Sequence, residues 1–163
     1  MTYTQTGDPT IREHVQAWQK LDVDQQLALF WFIYKEMGSS ITPAAPGAST
    51  ASPEIAEGLF NQVKELTHEE QLQLQRDLIN KADTQLSRQY GSLGDTTKLL
   101  FWYRLSQGMD NGTIIPVPSD YQLPSEAKAL FSKIQVIPFE QQITLFRDYV
   151  APMGAESKAG AEI

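Results

Sequence analysis

Leu27-Ala28-Leu29-Phe30-Trp31-Phe32-Ile33-Tyr34 is the stretch on which the reading of the fold turns. Leu27, Phe30, Trp31 and Tyr34 recur at i, i+3, i+4 and i+7, the spacing of one helix face, and Leu29, Phe32 and Ile33 make the adjoining side apolar too. A helix that is apolar over so wide an arc has to be buried, so it belongs at the centre. Leu99, Trp102, Tyr103 and Ser106 form a second stripe of the same period, which Phe101 widens. Aromatic stripes of this kind are also the ordinary content of a core, so their period defines packing and not a ligand.

Outward from these stripes, breaker clusters divide the 163 residues into helices at roughly 11–20, 22–38, 53–65, 68–80, 82–90, 95–110, 124–134 and 139–150, with no convincing strand. Gly38-Ser39-Ser40 ends a helix, Pro43 and Pro46-Gly47 keep the next segment extended, and Ser52-Pro53 opens another. Asn111-Gly112 is a turn signal, and Pro116 and Pro118 bar a helix until Pro124 begins one. Asn111-Gly112-Thr113 also matches a glycosylation sequon, but no secretory signal accompanies it and the turn reading is preferred. Residues 1–10 read as a flexible arm and 155–163 as a flexible tail around one helical domain.

A diverged repeat runs through the chain. Leu21-Asp22-Val23-Asp24-Gln25-Gln26-Leu27-Ala28-Leu29 aligns with Leu66-Thr67-His68-Glu69-Glu70-Gln71-Leu72-Gln73-Leu74 and with Ile137-Pro138-Phe139-Glu140-Gln141-Gln142-Ile143-Thr144-Leu145. Asp22 with Gln25 and Thr67 with Glu70 have capping-box spacing, so each copy is expected to open a helix with an acidic first turn. In this register Trp31, Arg76 and Arg147 are equivalent. The copies are irregularly spaced, which fits duplicated helical subdomains better than a solenoid.

Composition excludes several function classes. A formal charge of −7 argues against binding a phosphate backbone, so no nucleic-acid partner is expected. The longest apolar run, Leu27 to Tyr34, is far below the roughly 20 residues that would span a bilayer; the expectation is a cytoplasmic protein without a membrane span. Without cysteine there is no disulfide and no thiolate nucleophile. His14 and His68 are the only histidines, and Glu65-Leu66-Thr67-His68 is a single Glu-x-x-His where a di-iron bundle needs two. No catalytic or metal motif stands out, so the chain does not read as an enzyme.

Leu27 through Gly38, followed by Ala44-Ala45-Pro46-Gly47-Ala48, resembles the second helix and loop of the N-terminal domain of the orange carotenoid proteins of cyanobacteria. Ala82-Asp83-Thr84, Lys98-Leu99-Leu100-Phe101-Trp102-Tyr103-Arg104-Leu105, Pro116-Val117-Pro118 and Tyr121-Gln122-Leu123 follow in that family's order. So do Gln141-Gln142-Ile143-Thr144, Arg147 and Met153-Gly154, and the resemblance covers most of residues 20–154. It implies a stand-alone helical carotenoid protein: an all-α fold of two interleaved four-helix bundles with a keto-carotenoid between them. Canthaxanthin is preferred over echinenone and 3'-hydroxyechinenone.

By the same resemblance Trp31, Tyr34, Trp102 and Tyr121 match tunnel-lining positions. Leu27, Phe30, Leu99, Val117, Ile143, Arg147 and Met153 match further contact or rim positions. Gln75 and Arg76 depart from the family, which has small or sulfur-bearing apolar residues there. Methionines such as Met37, Met109 and Met153 suit the methyls and ring ends of such a ligand. A helix of about 20 residues is about 30 Å long, comparable with a rod-shaped polyene. About 40 ligand heavy atoms at about 0.3 kcal/mol each give on the order of 12 kcal/mol, a nanomolar affinity.

The two-domain relatives carry a second, mixed α/β domain that caps the pigment; this chain ends at Ile163, so a light switch is expected to be absent. Thr96 stands where those relatives use an asparagine to meet that domain, while Arg147 keeps their interface arginine. Arg147 is therefore expected to cover the tunnel mouth or to meet a separate C-terminal-domain homologue that delivers carotenoid. The preferred expectation is photoprotection through quenching of singlet oxygen or an excited pigment by a monomer or weak dimer. Direct quenching of the phycobilisome, at the thylakoid surface, is the second; it would need a basic patch around Lys98, Arg104 and Arg147 despite the net charge. A pigment-free helical interaction module is the third, and colour separates it from the other two.

Overall fold

The computed structural model describes residues 9–37, 53–118 and 120–155. Among them run eight helices and no strand: α1 (Pro9–Lys20), α2 (Val23–Met37), α3 (Pro53–Lys64), α4 (His68–Asn80), α5 (Gln85–Gly91), α6 (Asp95–Asn111), α7 (Ser125–Gln135) and α8 (Phe139–Val150). The expected loop around Pro43 and Pro46-Gly47, residues 1–8 and 156–163, and the side chain of Met37 lie outside the described residues. Among those described, no helix is long and apolar enough to cross a membrane.

Two ends differ from the sequence expectation. Helix α1 starts at Pro9, inside the expected arm, because proline at a first helical position sacrifices no intrahelical bond. Ala155, placed in the expected tail, is tied down: its N–H donates to the Ser87 hydroxyl at 2.9 Å. Helix α5 begins at Gln85 and not at residue 82, since Thr84 stays extended and its side chain caps the Ser87 N–H. Gly112 closes α6 in the left-handed conformation, with φ 85°, so Asn111-Gly112 is the expected turn.

The helices sort into two groups of four. Helices α1, α2, α7 and α8 pack on one another, as do α3, α4, α5 and α6. The second group is inserted between α2 and α7 of the first, and α6 on α8, α2 on α4 and α2 on α6 join them. This is the interleaved pair of four-helix bundles. Leu29 and Ile33 of α2, Phe101 and Leu105 of α6, and Phe146 and Tyr149 of α8 are all buried. Helix α2 lies between both groups but leaves Phe30, Trp31, Phe32 and Tyr34 half-buried, and α6, packed on α3 and α8, is the more deeply enclosed of the two striped helices.

The repeat acquires a physical meaning at three helix corners. The backbone N–H of Leu21, Leu66 and Ile137 closes each corner on the carbonyl three residues earlier, that of Trp18, Val63 and Ile134. The glutamine five residues past each is buried: Gln26, Gln71 and Gln142. Its side-chain amide reaches back to the corner, Gln26 to Leu21 O at 2.8 Å, Gln71 to Val63 O and Leu66 O at 3.3 Å, and Gln142 to Ile134 O at 3.0 Å. Carbonyls at the corner, some already accepting from the turn's own N–H, thus receive a side-chain donor from the first turns of the next helix. Asp22 accepts from Gln25 N at 2.8 Å, and Thr67 with Glu70 forms the full capping box, as their spacing predicts.

Gln71 goes further than its counterparts, since its amide also donates to Thr113 O at 3.2 Å and its oxygen accepts from Ile115 N at 2.8 Å. Replacing it strands the partly buried Thr113 O and Ile115 N and weakens the corner, at about 1–3 kcal/mol for each group left without a partner. Gln71→Leu is therefore expected to lower unfolding stability by about 3 kcal/mol in urea titration. Gln73→Ala, two positions along on the exposed face of α4, should change it by less than about 0.5 kcal/mol.

Candidate functional site

Helices α2, α6 and α8 enclose a small apolar cleft lined by Phe30, Ile33, Tyr34, Leu99, Trp102, Tyr103, Ser106 and Phe146. Phe30 and Tyr34 arrive from one face of α2, and Leu99, Trp102, Tyr103 and Ser106 from the second stripe on α6. The two periodic stripes therefore face each other across one space. Phe30 stacks on Trp102 with ring centroids 5.3 Å apart and planes inclined by 11°, and it meets Trp18 edge-on at 5.3 Å. Trp18 stacks in turn on Tyr149 at 4.5 Å. Each such pair contributes about 0.5–1.5 kcal/mol beyond simple burial.

Four expected site residues, Phe30, Tyr34, Leu99 and Trp102, line this cleft. Trp31 stands at its side, half-buried, its ring 5.8 Å from that of Tyr34 and under the Lys35 ammonium at 5.4 Å. Leu27 and Ile143 are buried one turn away on α2 and just before the wall residue Phe146 on α8. Arg147 follows Phe146 and is half-buried. Tyr121 lies elsewhere, with Val23, Asp24, Arg76 and Pro124 in a second cleft, its ring 6.4 Å from Phe32. Met153 belongs to a third, with Trp18 and Tyr149. Val117 lies half-buried in the extended segment after α6 and lines none of the three clefts. Ile33, Ser106 and Tyr103 were present in the stripes; Phe146 was signalled by nothing in the sequence reading.

The wall's electrostatics are settled inside the protein. The Trp102 indole N–H donates to the Tyr90 hydroxyl at 2.9 Å, which donates to Val150 O at 2.7 Å. What the largest side chain of the wall offers the cleft is therefore its carbon surface. Lys98 and Arg104, two of the three cations expected in a basic patch, are otherwise engaged. Lys98 is buried and donates to Ala151 O at 2.6 Å, with its ammonium 5.3 Å from the Tyr90 ring centre. Burial pushes its pKa down, partly offset by Asp95. Arg104 pairs with Glu57 at 2.9 Å and lies 4.0 Å over the Phe60 ring. The patch does not form from these side chains.

The groups present fit a long conjugated hydrocarbon. Such a molecule asks for no hydrogen bonds along its chain, and the Phe30 ring with the Trp102 ring, whose N–H is tied off elsewhere, gives it carbon surface to pack against. The cleft between the packed rings holds about 30 Å³, so a long ligand would need the Phe30 and Tyr34 rings to turn aside. At Gln75, one of the two family departures, the side chain is buried and its amide nitrogen has no hydrogen-bond partner among the described residues. Arg76, the other, pairs across the bundles with Asp24 at 2.9 Å.

An all-helical fold with a ring-lined apolar cleft between two bundles defines a binding protein for a flat, apolar ligand. The chain belongs to the orange carotenoid protein N-terminal family, which it matches over residues 4–156. It is 47% identical over 155 residues to an orange carotenoid-binding domain-containing protein of Nostoc sp. strain PCC 7120, covering 95% of this chain and 89% of that one. The red carotenoid protein of the same organism, solved binding canthaxanthin, superposes with a TM-score of 0.82 at 72% identity over 91% of this chain and all of that one. The orange carotenoid protein of that organism, also binding canthaxanthin, gives 0.80 at 39% identity over 91% of this chain; there the match spans 48% of the longer protein.

Four tyrosines make the fold sensitive to alkali. Burial raises the phenol pKa of Tyr90, Tyr149, Tyr34 and Tyr121 above the usual 10.0. The folded state then holds protons that the unfolded chain has lost, so this stability is complete below pH 10 and drains away above it; Lys98 acts in the opposite sense as a single group. Unfolding free energy should therefore fall between about pH 9 and 11. Tyr149→Phe should make that fall shallower, and at neutral pH should be neutral or stabilising by about 1 kcal/mol, because the buried Tyr149 hydroxyl has no hydrogen-bond partner among the described residues. Denaturant titrations of both proteins at the two pH values read both effects.

Proposed function

We propose that the chain is a carotenoid-binding photoprotective protein that holds one keto-carotenoid, canthaxanthin by preference, between its two bundles. The single observation that carries this is the cleft between α2 and α6, where Phe30, Tyr34, Leu99 and Trp102 converge. Membership of the family, and the canthaxanthin of a relative 72% identical, support the ligand class. When bound, the polyene supplies low-lying excited states that accept energy from singlet oxygen or an excited pigment and release it as heat.

The chain's part is solubility, orientation and exclusion of water. Phe30 and Trp102 present ring faces to a flat chain, and Leu99 and Phe146 close the cleft with hydrocarbon. Trp31 and Tyr34 form its half-buried rim on α2, and the family resemblance adds Leu27, Ile143, Val117, Tyr121, Arg147 and Met153 as further contacts, Tyr121 and Met153 from neighbouring clefts. The reading takes residues 1–163 as one carotenoid-binding domain. Arg147 covers its mouth or meets the separate C-terminal-domain homologue that delivers the pigment.

The test uses protein made in a canthaxanthin-producing host. Wild type is expected to purify coloured. Trp31→Ala with Tyr34→Ala, which removes two half-buried rings, should weaken pigment retention on the order of tenfold, about 1.4 kcal/mol. An unchanged pigment-to-protein ratio and visible spectrum would remove those rings from the site.

A further inference from the structure

Tyr90 and Tyr149 are the two largest fully buried side chains among the described residues, and the sequence patterns do not single out Tyr90. It stands near the end of α5, outside both aromatic stripes, and does not line the α2–α6 cleft. Its hydroxyl accepts from the Trp102 indole N–H at 2.9 Å and donates to Val150 O, the last residue of α8, at 2.7 Å. The Met153 sulfur lies a further 4.0 Å from that hydroxyl as a weaker acceptor, and the relay joins three helices.

The segment after α8 is held on the same side. Lys98 donates to Ala151 O, Gly154 N donates to Leu78 O at 2.8 Å, and Ala155 N donates to Ser87 Oγ. Gly154 is left-handed at φ 84°, and a Cβ there would lie 2.6 Å from a Tyr90 ring carbon. The Tyr90 ring is thus clamped from the segment side, with the Lys98 ammonium 5.3 Å from its centre. A rigid phenol held this way offers the indole one acceptor at one place.

We infer that Tyr90 is the positioning residue of the cleft: through its hydroxyl it fixes the plane of the Trp102 indole and hence how that ring meets a bound polyene. This rests on the carotenoid reading given above. The indole has two side-chain torsions, and packing against Phe30 restrains its face. The hydrogen bond fixes the edge, so the ring cannot turn its N–H toward the cleft. Tyr90 also makes the wall depend on the docking of residues 150–155, because its own second bond ends on Val150.

The experiment is a double-mutant cycle on pigment-loaded protein, read by visible absorption and induced circular dichroism at equal pigment content. Tyr90→Phe is expected to shift the visible band and change the induced signal in the wild-type background. In a Trp102→Phe background it should add no further shift, because the ring it orients has no N–H left to hold. No shift in the wild-type background, or the same shift in both, overturns the inference while leaving pigment binding intact. A colourless wild type would instead overturn the carotenoid reading, and this inference with it. Should Tyr90→Phe fail to fold, hydrogen exchange of the Trp102 indole N–H in the wild type decides: slow exchange is expected from a buried, bonded indole, and exchange at the rate of a free indole overturns the assignment.

Discussion

A polar atom buried in an apolar interior needs a partner, and that requirement organises this molecule. Helices brought end to end into a shared core leave carbonyls at their termini, and here three buried glutamines answer them at equivalent corners. The same requirement shapes the cleft. Trp102 can present an uninterrupted carbon face only because its N–H is satisfied behind the wall by Tyr90. Corner and wall are two uses of one rule, and the apolar cleft is what remains between the bundles once both are met.

That rule also orders the interaction energies. The surface pairs Lys35–Asp110 and Arg76–Asp24 are solvent-exposed and worth at most about 1 kcal/mol each. Burial of Trp18, Phe30, Trp102, Phe146 and Tyr149 against one another is larger, at about 1.5–3 kcal/mol per large apolar side chain. Two ring pairs, Phe30 on Trp102 and Tyr34 on Tyr103, cross between the bundles, the other rings tie α1, α2 and α8 to one another, and the two exposed ion pairs bridge the bundles from outside. A protein joined in this way along its seam has aromatic surface available where a flat conjugated molecule would lie, and the exchange of ring-on-ring for ring-on-polyene contact changes little in kind.

Much of the fold was legible in the sequence because its signals are local. Period-3.6 stripes placed α2 and α6, Thr67 and Glu70 marked the start of α4, and Pro124 and Pro138 stand immediately before α7 and α8. Phe30, Tyr34, Leu99 and Trp102 lie on those stripes, but only the family resemblance marks them as ligand contacts. Other features need partners distant in the chain. Tyr90 acts on a carbonyl 60 residues away, and Lys98, read as a surface cation, is buried against a carbonyl 53 residues away. The repeat is visible in the sequence through its caps and through the shared register of Trp31, Arg76 and Arg147. Its buried glutamine, the position that carries the corner, shows its role only when the preceding helix is in place.

The central claim is that the α2–α6 cleft, walled by Phe30, Leu99 and Trp102, opens to take one polyene between the bundles. The most direct measurement is a crystal structure of the protein purified from canthaxanthin-producing cells. The account predicts the conjugated chain in van der Waals contact with those three side chains, Phe30 turned off Trp102, and the Trp102 N–H still on Tyr90. A pigment seated on the outer surface, with Phe30 still stacked on Trp102, would contradict it.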